Sequence, residues 1–234
     1  MTRKEAVIMY INAEPYNFPF DEDLTPENTA LIIIDMQTDF CRPGGYSAAR
    51  GNDVSRCNSI VPAIQKLLEA ARKVSGFTII HTREGHRADL ADLPANKLYR
   101  TTLWGAPVGA EGPLGRYLTR GSECWDIVPE LYPLPGEPII DKCGKGAFTA
   151  TDLEEILRLR GIKNLILTGV TTECCVHTTM RHANDLGFEC VMLEDCTQSA
   201  TEESYRYHIN HTRKTGLFGT LSNSTEVIKW LESL

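Results

Sequence analysis

The chain has 234 residues, of which 42% are hydrophobic, and this length and composition predict one domain with a full core. Its formal net charge is -7 and its isoelectric point is about 5.4, with lysine and arginine scattered along the chain, which argues against nucleic acid and anionic membranes as partners. No apolar run approaches the roughly 18 to 20 residues that cross a bilayer, and no signal-peptide pattern opens the chain, so we expect a cytosolic protein.

The first segment, residues 1–29, is rich in Asn, Pro, Asp and Glu and has no sustained hydrophobic period. It predicts an irregular arm, and the domain itself is expected over residues 30–234. The continuous apolar run ALIIID (Ala30–Asp35) is typical of a central parallel strand buried on both faces. Asp35 therefore stands at the carboxyl end of this strand, the edge at which open α/β sheets bind ligands. An aspartate there also commonly stabilises a turn.

An amphipathic helix is predicted over residues 60–73, followed by a second buried strand over residues 77–82. The polar stretch REGHRADLADLPANK comes next, and residues 98–136 are rich in glycine and proline. Both segments are predicted to lack regular structure. The sequence does not decide whether residues 98–136 form a lid or an oligomer contact.

Three potential metal ligands, Glu84, His86 and Asp89, lie in the polar stretch. Glu-x-His recurs by chance in polar loops, and no CxxC pair occurs in the chain. No metal ion and no other cofactor is therefore predicted. The eight cysteines are irregularly spaced in a chain of a size that does not need disulfides, so they are expected to be free thiols.

A third strand over residues 138–140 ends just before Lys142. A fourth, over residues 165–167, leads through a Gly-Val-Thr-Thr turn into a helix that opens with Cys174 and Cys175. Further helices and one more strand complete an alternating pattern. Strands alternating with helices at this spacing predict an α/β fold, a single-domain Rossmann-like three-layer sandwich with a mainly parallel sheet flanked by helices.

Cys175 stands near the start of its predicted helix, where unpaired N–H groups and the helix dipole are expected to lower its pKa and favour the thiolate. A free cysteine is also often a small buried hydrophobe, and a lysine after a strand is usually solvated. Asp35, Lys142 and Cys175 are nevertheless expected at one edge of one sheet. There a carboxylate can take the thiol proton while an ammonium stabilises the thiolate, so the three residues form a predicted nucleophile set.

Three motifs, ALIIIDMQTDF, IIDKCGKGAF and LTGVTTECCV, occur in this order and carry these three residues. Through them the chain resembles the isochorismatase-like cysteine hydrolases over nearly its whole length from about Ala30. Within that family it looks most like the biuret hydrolases, because ALIIIDMQTDFC, HTREGHRADLADLPANK and TTMRHAND also resemble that subgroup. Isochorismatases proper cleave a vinyl ether and lack the cysteine, so Cys175 argues against that reaction.

By position, the resemblance implies that Asp35 is the general base and acid, that Lys142 holds thiolate and substrate, and that Cys175 is the nucleophile. It also implies a cis peptide bond between Val170 and Thr171. The backbone N–H groups of Thr171 and Cys175 would then form an oxyanion hole. Relatives are commonly tetramers, so a homotetramer is expected.

Two departures from the family pattern bear on the substrate. Nicotinamidases bind a metal through Asp-x-His and a further His, whereas this chain has Glu84-Gly85-His86 and no convincing second His, so neither a metal nor nicotinamide is expected. Biuret hydrolases place a Gln near the substrate late in the chain, where this sequence has Lys214 beside Thr215. A substrate-binding Lys214 would favour a carboxylated ureide, and the alternative is a solvated lysine at a helix end.

Phe40, Asn96 and Lys97 are predicted as further substrate-binding residues. The sequence thus predicts a cysteine-dependent amidohydrolase that cleaves a C–N bond of a small amide or ureide such as biuret, and that releases ammonia through a covalent thioester-type intermediate. One alternative is a ureidoacrylate or N-carbamoyl-type amidohydrolase acting on a carboxylated ureide. Another is a non-catalytic redox sensor that uses the two vicinal cysteines.

Overall fold

A six-stranded sheet, in which every pairing is parallel, forms the centre of residues 9–234, the part of the chain that the computed structural model describes. The strands are β1 (Thr29–Ile34), β2 (Thr78–Glu84), β3 (Glu111–Gly112), β4 (Gly115–Arg116), β5 (Ile139–Lys142), β6 (Asn164–Val170), β7 (Glu189–Gln198) and β8 (Thr220–Ser222). The sheet has the order β5-β2-β1-β6-β7-β8, and β3 pairs with β4 as a separate antiparallel ribbon. The predicted α/β fold is confirmed.

Helices cover both faces of this sheet. They are α1 (Thr38–Cys41), α2 (Tyr46–Ala49), α3 (Val54–Ser59), α4 (Val61–Ala71), α5 (Ala95–Leu103), α6 (Leu153–Leu159), α7 (His177–Asp185), α8 (Glu202–Thr215) and α9 (Ser224–Glu232). A π-helical turn, Thr172–Val176, precedes α7. Among the described residues, no helix is long and apolar enough to cross a membrane.

The core has two layers because successive side chains of a strand point to opposite faces of the sheet. Leu31 and Ile33 of β1 join one cluster, with α4 and α9, while Ala30, Ile32 and Ile34 join the other, with α6 and α7. Every residue of β1 is buried. This two-sided burial explains why the strand is a continuous apolar run.

The chain order of the strands creates a crevice between β1 and β6. From β1 the chain adds β2 and then β5 on one side, and it returns to the other side of β1 with β6, β7 and β8. Open α/β sheets bind ligands at such a reversal, outside the carboxyl ends of the strands. The segments that follow β1 and β6 therefore meet where a site is expected.

Several elements of the structure were absent from the predictions. Helix α5 begins in the polar stretch and extends into the segment that was predicted to be irregular, and only Thr101 of its nine residues is buried. Strand β8 has three residues, too few to display a period. The prediction of irregular structure was wrong for α5 and for the β3–β4 ribbon, which lies within residues 98–136.

The described part of the N-terminal arm packs on the same domain. Residues 1–8 of the predicted arm lie outside the described residues. Ile11 pairs with Phe18 in an antiparallel bridge, and Glu14 pairs with Leu221 of β8. The side chains of Ile11 and Phe18 are buried in the cluster that holds α4 and α9, so the arm covers part of the core.

Candidate active site

Four adjacent strands deliver polar side chains to one edge of the sheet. Asp35 follows β1, Glu84 ends β2, Lys142 ends β5, and β6 leads into the turn that carries Cys175. Glu84 lies opposite Lys142 in the β2–β5 register. The three residues predicted from sequence are therefore brought together, and Glu84 joins them.

Asp35 is fully buried and sits where the backbone leaves β1 with a positive φ of 50°, a conformation that aspartate tolerates better than most residues. Its Oδ1 accepts a hydrogen bond of 2.6 Å from the hydroxyl of Thr82. Its Oδ2 lies 2.7 Å from the ammonium of Lys142, whose side chain is also 0% exposed. Both carboxylate oxygens are thus held by neighbouring strands.

The Lys142 ammonium is surrounded by oxygens. It donates to the backbone carbonyls of Gly144, at 3.0 Å, and Lys145, at 2.9 Å, and it meets Asp35 as a close ion pair. It also lies 3.7 Å from Oε2 of Glu84. A buried charge is tolerated only when it is paired and hydrogen-bonded in this way.

The turn after β6 requires glycine at one position. Gly169 has φ of 106°, and a Cβ there would lie 2.0 Å from the carbonyl oxygen of Ile34, a distance that no side chain can accept. The peptide bond between Val170 and Thr171 is cis, which confirms the expectation from the resemblance. Cys175 follows within the π-helical turn, above the ends of β1 and β2.

Cys175 points its thiol at Glu84. The Sγ atom donates a hydrogen bond of 3.2 Å to Oε2 of Glu84, while Oε1 of Glu84 lies 2.5 Å from the ammonium of Lys145. Sequence reasoning considered Glu84 only as a metal ligand and did not identify Lys145. The position of Glu84 opposite Lys142 depends on the register of β2 with β5, which the sequence alone does not reveal.

Burial and neighbouring charges set the protonation of this cluster. Burial raises the pKa of Asp35 above its ordinary value, although the Lys142 ammonium opposes the shift. Burial would also raise the pKa of Glu84, but the Lys145 and Lys142 ammoniums outweigh it and lower that pKa to about 2. Asp35 is therefore the carboxylate that is better suited to take up a proton, and Glu84 stays charged.

The expected lowering of the Cys175 pKa was wrong. Hydrogen bonding with Cys174 and burial raise the pKa of the Cys175 thiol well above its ordinary value, and the Asp35 and Glu84 carboxylates add to the shift, while Lys142 opposes it. The start of the helix does not offset the hydrogen bond with Cys174, the burial of the sulfur and the two nearby carboxylates, all of which favour the thiol. The resting nucleophile candidate is a neutral thiol.

The residues considered as metal ligands are engaged by other groups. Oε1 of Glu84 pairs with Lys145, and Nδ1 of His86 lies 3.2 Å from Oδ1 of Asp92. Donor atoms of Asp35, Glu84 and Cys175 lie within 4.8 Å of one another, but the Lys142 ammonium already contacts both carboxylates of this group. The described residues around Cys175 therefore do not fit a metal ion.

A cavity of about 400 Å³ opens above the cysteine. Phe40 and Lys97, two predicted substrate-binding residues, line it together with Thr171 and Cys175. Asn96 and Lys214 are exposed on α5 and α8 and lie outside the lining. Tyr46, Arg50, Lys145 and Glu173 also line the cavity and were not singled out from the sequence. 

The structure has a parallel α/β sheet, and a buried thiol, carboxylate and ammonium meet where the strand order reverses. This arrangement is that of an α/β enzyme with a cysteine at its site. A family model described as the Isochorismatase domain matches residues 29–226, so the chain belongs to the isochorismatase family. It is a hydrolase of that family with an Asp35, Lys142 and Cys175 cluster.

Solved structures of relatives share this fold. A cysteine hydrolase from Pseudomonas syringae pv. phaseolicola 1448A is 26% identical, with a TM-score of 0.75 over 90% of this chain and 95% of that chain. An isochorismatase family protein from Desulfovibrio vulgaris subsp. vulgaris str. Hildenborough is 29% identical, with a TM-score of 0.71 over 88% and 98%. N-carbamoylsarcosine amidase from Thermoplasma acidophilum, 20% identical with a TM-score of 0.63 over 84% and 96%, is similar in fold.

Proposed function

We propose that the protein is a cysteine-dependent amidohydrolase that cleaves a C–N bond of a small ureide such as biuret and releases ammonia. The observation that carries this proposal is the position of Cys175. Its thiol lies at the floor of the cavity, 3.2 Å from Glu84 and next to the buried Asp35–Lys142 ion pair. A thiol, a carboxylate that accepts a proton and a fixed cation are the parts that nucleophilic amide hydrolysis needs.

The acylation step begins with proton transfer from the Cys175 thiol to Asp35. The sulfur attacks the terminal carbonyl carbon, a C–S bond forms, and negative charge develops on the carbonyl oxygen. Backbone N–H groups of Thr171 and Cys175 are the proposed donors to this oxygen, each worth about 3 kcal/mol of barrier. Asp35 then returns the proton to the leaving nitrogen, the C–N bond breaks, and ammonia departs.

The deacylation step uses the same residues. Asp35 takes a proton from water, the resulting hydroxide attacks the carbonyl carbon of the S-acyl intermediate, and the C–S bond breaks. The proton returns to the sulfur of Cys175. With biuret the products are ammonia and N-carboxyurea, so one water is consumed in each cycle and no oxidant or reductant is needed.

A second candidate substrate is a carboxylated ureide. Four basic side chains line the cavity, Arg50, Lys97, Arg100 and Lys145, against two acidic ones, and this excess favours an anion. Lys214, the residue that first suggested such a substrate, is exposed outside the cavity and gives the candidate no support.

Replacing Cys175 by alanine is expected to lower the rate of ammonia release from biuret by at least about a thousandfold, because no other group supplies the nucleophile. The matched control is Cys174→Ala. Cys174 also lines the cavity, but it is not the predicted nucleophile, and its variant should stay within about threefold of the parent rate.

The opposite pattern, with activity lost in Cys174→Ala and kept in Cys175→Ala, would contradict the proposal. If the protein is instead a redox sensor, Cys174→Ala and Cys175→Ala should both abolish the response to oxidation of the two thiols, and neither should change ammonia release. All eight cysteines are free in the structure, so the test begins from the reduced protein.

A further inference from the structure

Two buried polar atoms in the cavity wall have no hydrogen-bond partner among the described residues. They are Nε of Arg50 and Oε2 of Glu173, and both residues line the cavity that contains Cys175. One atom is a donor and the other is an acceptor. Leaving such groups unpaired costs free energy, and the two side chains that carry them line the cavity, where a bound molecule can offer hydrogen-bond partners.

Arg50 is held in place without a carboxylate. It follows the last residue of α2, and its guanidinium stacks 4.2 Å from the ring of Trp104 and 5.4 Å from that of Tyr46. Within residues 9–234 it forms no salt bridge, whereas Lys145 pairs with Glu84 and Lys97 donates to the Cys143 carbonyl. Stacking fixes the guanidinium plane, and the donors that do not bond to the Tyr46 hydroxyl remain for a ligand.

Glu173 belongs to the turn that carries the nucleophile. It lies two positions before Cys175, in the first part of the π-helical turn, so its place relative to the reacting sulfur is fixed by one short backbone segment. No described lysine, arginine or histidine lies within ion-pair distance of its carboxylate, although many other carboxylates of the chain are paired. It therefore offers acceptor oxygens to a substrate that carries N–H donors.

The pair of groups distinguishes between classes of substrate. A urea half offers one carbonyl acceptor and several N–H donors, which match one arginine and one glutamate. A carboxylate offers acceptors only and would place its charge near Glu173, at a cost from like-charge repulsion. An alkyl group would leave both protein groups unpaired.

We propose that Arg50 and Glu173 are specificity-determining residues that bind the non-scissile urea half of the substrate. Arg50 donates to its carbonyl oxygen, and Glu173 accepts from its N–H groups, while the scissile carbonyl lies at Cys175. This inference rests on the proposed function, because it assumes that Cys175 is the nucleophile. It assigns the substrate class as neutral ureides of the biuret type, in preference to carboxylated ureides.

The test compares biuret with N-carbamoylglycine as substrates of the parent, Arg50→Gln, Arg50→Lys and Glu173→Gln. The parent is expected to prefer biuret. Arg50→Gln and Glu173→Gln should each lower kcat/KM for biuret by about 10- to 100-fold, because a site built to hydrogen-bond a substrate loses much when one partner is removed. Arg50→Lys, which keeps the charge but loses the planar fork, should fall between parent and Arg50→Gln.

A variant that only disturbs the structure should slow the reaction of both substrates equally. A variant that alters recognition should change the preference between biuret and N-carbamoylglycine. Glu173→Gln should raise the ratio of kcat/KM for N-carbamoylglycine over biuret by at least about tenfold, because the like charge is removed. Alkylation of Cys175 by iodoacetamide should remain within about threefold of the parent rate, which shows that the nucleophile is intact. Arg206→Gln and Glu232→Gln, both at exposed positions, are the matched controls and should leave kcat/KM and the ratio unchanged.

Three results would overturn the inference: equal loss on both substrates in Glu173→Gln, unchanged kcat/KM for biuret in both glutamine variants, or a parent enzyme that prefers N-carbamoylglycine. The same assay with Cys175→Ala keeps the two proposals apart. Ammonia release that persists in Cys175→Ala contradicts the proposed function itself. Release that is lost in Cys175→Ala, together with any of the three results, contradicts only the assignment of Arg50 and Glu173.

Discussion

Replacing Lys142 by methionine is expected to lower the free energy of unfolding by about 3–5 kcal/mol, because removing one partner of a buried ion pair leaves the other charge buried and unpaired. The Asp35 carboxylate, 2.7 Å from the ammonium and 0% exposed, would lose its cation. Glu84, at 3.7 Å, would keep only Lys145. Urea unfolding, with ammonia release measured in parallel, tests this variant, and release should fall by at least about a hundredfold.

Lys163→Met is the control for Lys142→Met. Lys163 pairs with Asp21 and Asp23 at the surface, and its side chain is 39% exposed, so the loss of that pairing should cost less than about 1 kcal/mol. The double variant Asp35→Asn with Lys142→Met should recover part of the lost stability, since both charges of the pair are then absent. Equal costs for Lys142→Met and Lys163→Met would contradict the account of a buried ion pair.

The pH dependence of the free energy of unfolding is a second test of the Asp35–Lys142 ion pair. Burial acts to lower the pKa of Lys142, but Asp35, Cys175 and Glu84 outweigh it and raise that pKa above its ordinary value of 10.5. The stabilisation from the ammonium is therefore complete below pH 10.5 and declines as the pH rises through the folded-state pKa. The difference in stability between parent and Lys142→Met should shrink accordingly above pH 10.5.

Glu84→Gln is expected to make Cys175 more reactive towards iodoacetamide at pH 7, although Glu84 is the hydrogen-bond acceptor of its thiol. A carboxylate 3.2 Å from the sulfur opposes the thiolate, and its removal leaves Lys142 and Lys145 to favour it. A pKa lowered by one unit raises the thiolate fraction about tenfold, so alkylation should accelerate by about that factor. Mass mapping of the peptide that contains Cys175 measures the rate.

The control for Glu84→Gln is a second glutamate-to-glutamine variant, at an exposed position. Glu232→Gln changes an exposed carboxylate near the chain end and should leave the alkylation rate unaltered. A slower or unchanged rate in Glu84→Gln would show that Glu84 does not hold Cys175 as a thiol. Unfolding measured at acid pH adds a check, because the pKa of Glu84 is lowered from 4.5 to about 2. The contribution of the Glu84 charge to the free energy of unfolding is therefore complete above pH 4.5 and is lost as the pH falls toward 2. Glu84→Gln should not show this loss.

The sequence predictions that needed the least additional information concerned strands that are buried on both faces of the sheet. β1 is apolar throughout because both of its faces are covered, and the position of Asp35 at its end follows from that run alone. Convergence of Asp35, Lys142 and Cys175 then follows from the parallel sheet, since Lys142 ends its strand and the other two residues follow theirs at the same edge. These inferences needed only periodicity and strand order.

The features that sequence missed depend on register and on contacts between distant segments. Glu84 enters the site because it lies opposite Lys142 in the β2–β5 pairing, which no local pattern reveals. The shift in the Cys175 pKa was predicted with the wrong sign because it depends on a hydrogen bond with Cys174, on burial of the thiol and on carboxylates from two other strands. Asn96 and Lys214 were selected by position along the chain, and the structure leaves both exposed outside the cavity. 

Biuret turnover in the presence of hydroxylamine shows whether a covalent intermediate forms on Cys175. An S-acyl intermediate can be captured by either water or hydroxylamine, and capture by hydroxylamine breaks the C–S bond to give N-hydroxybiuret and the free thiol. We expect N-hydroxybiuret to replace N-carboxyurea in proportion to the hydroxylamine concentration, while each turnover still releases one ammonia. Formation of N-carboxyurea alone at every hydroxylamine concentration would contradict this expectation.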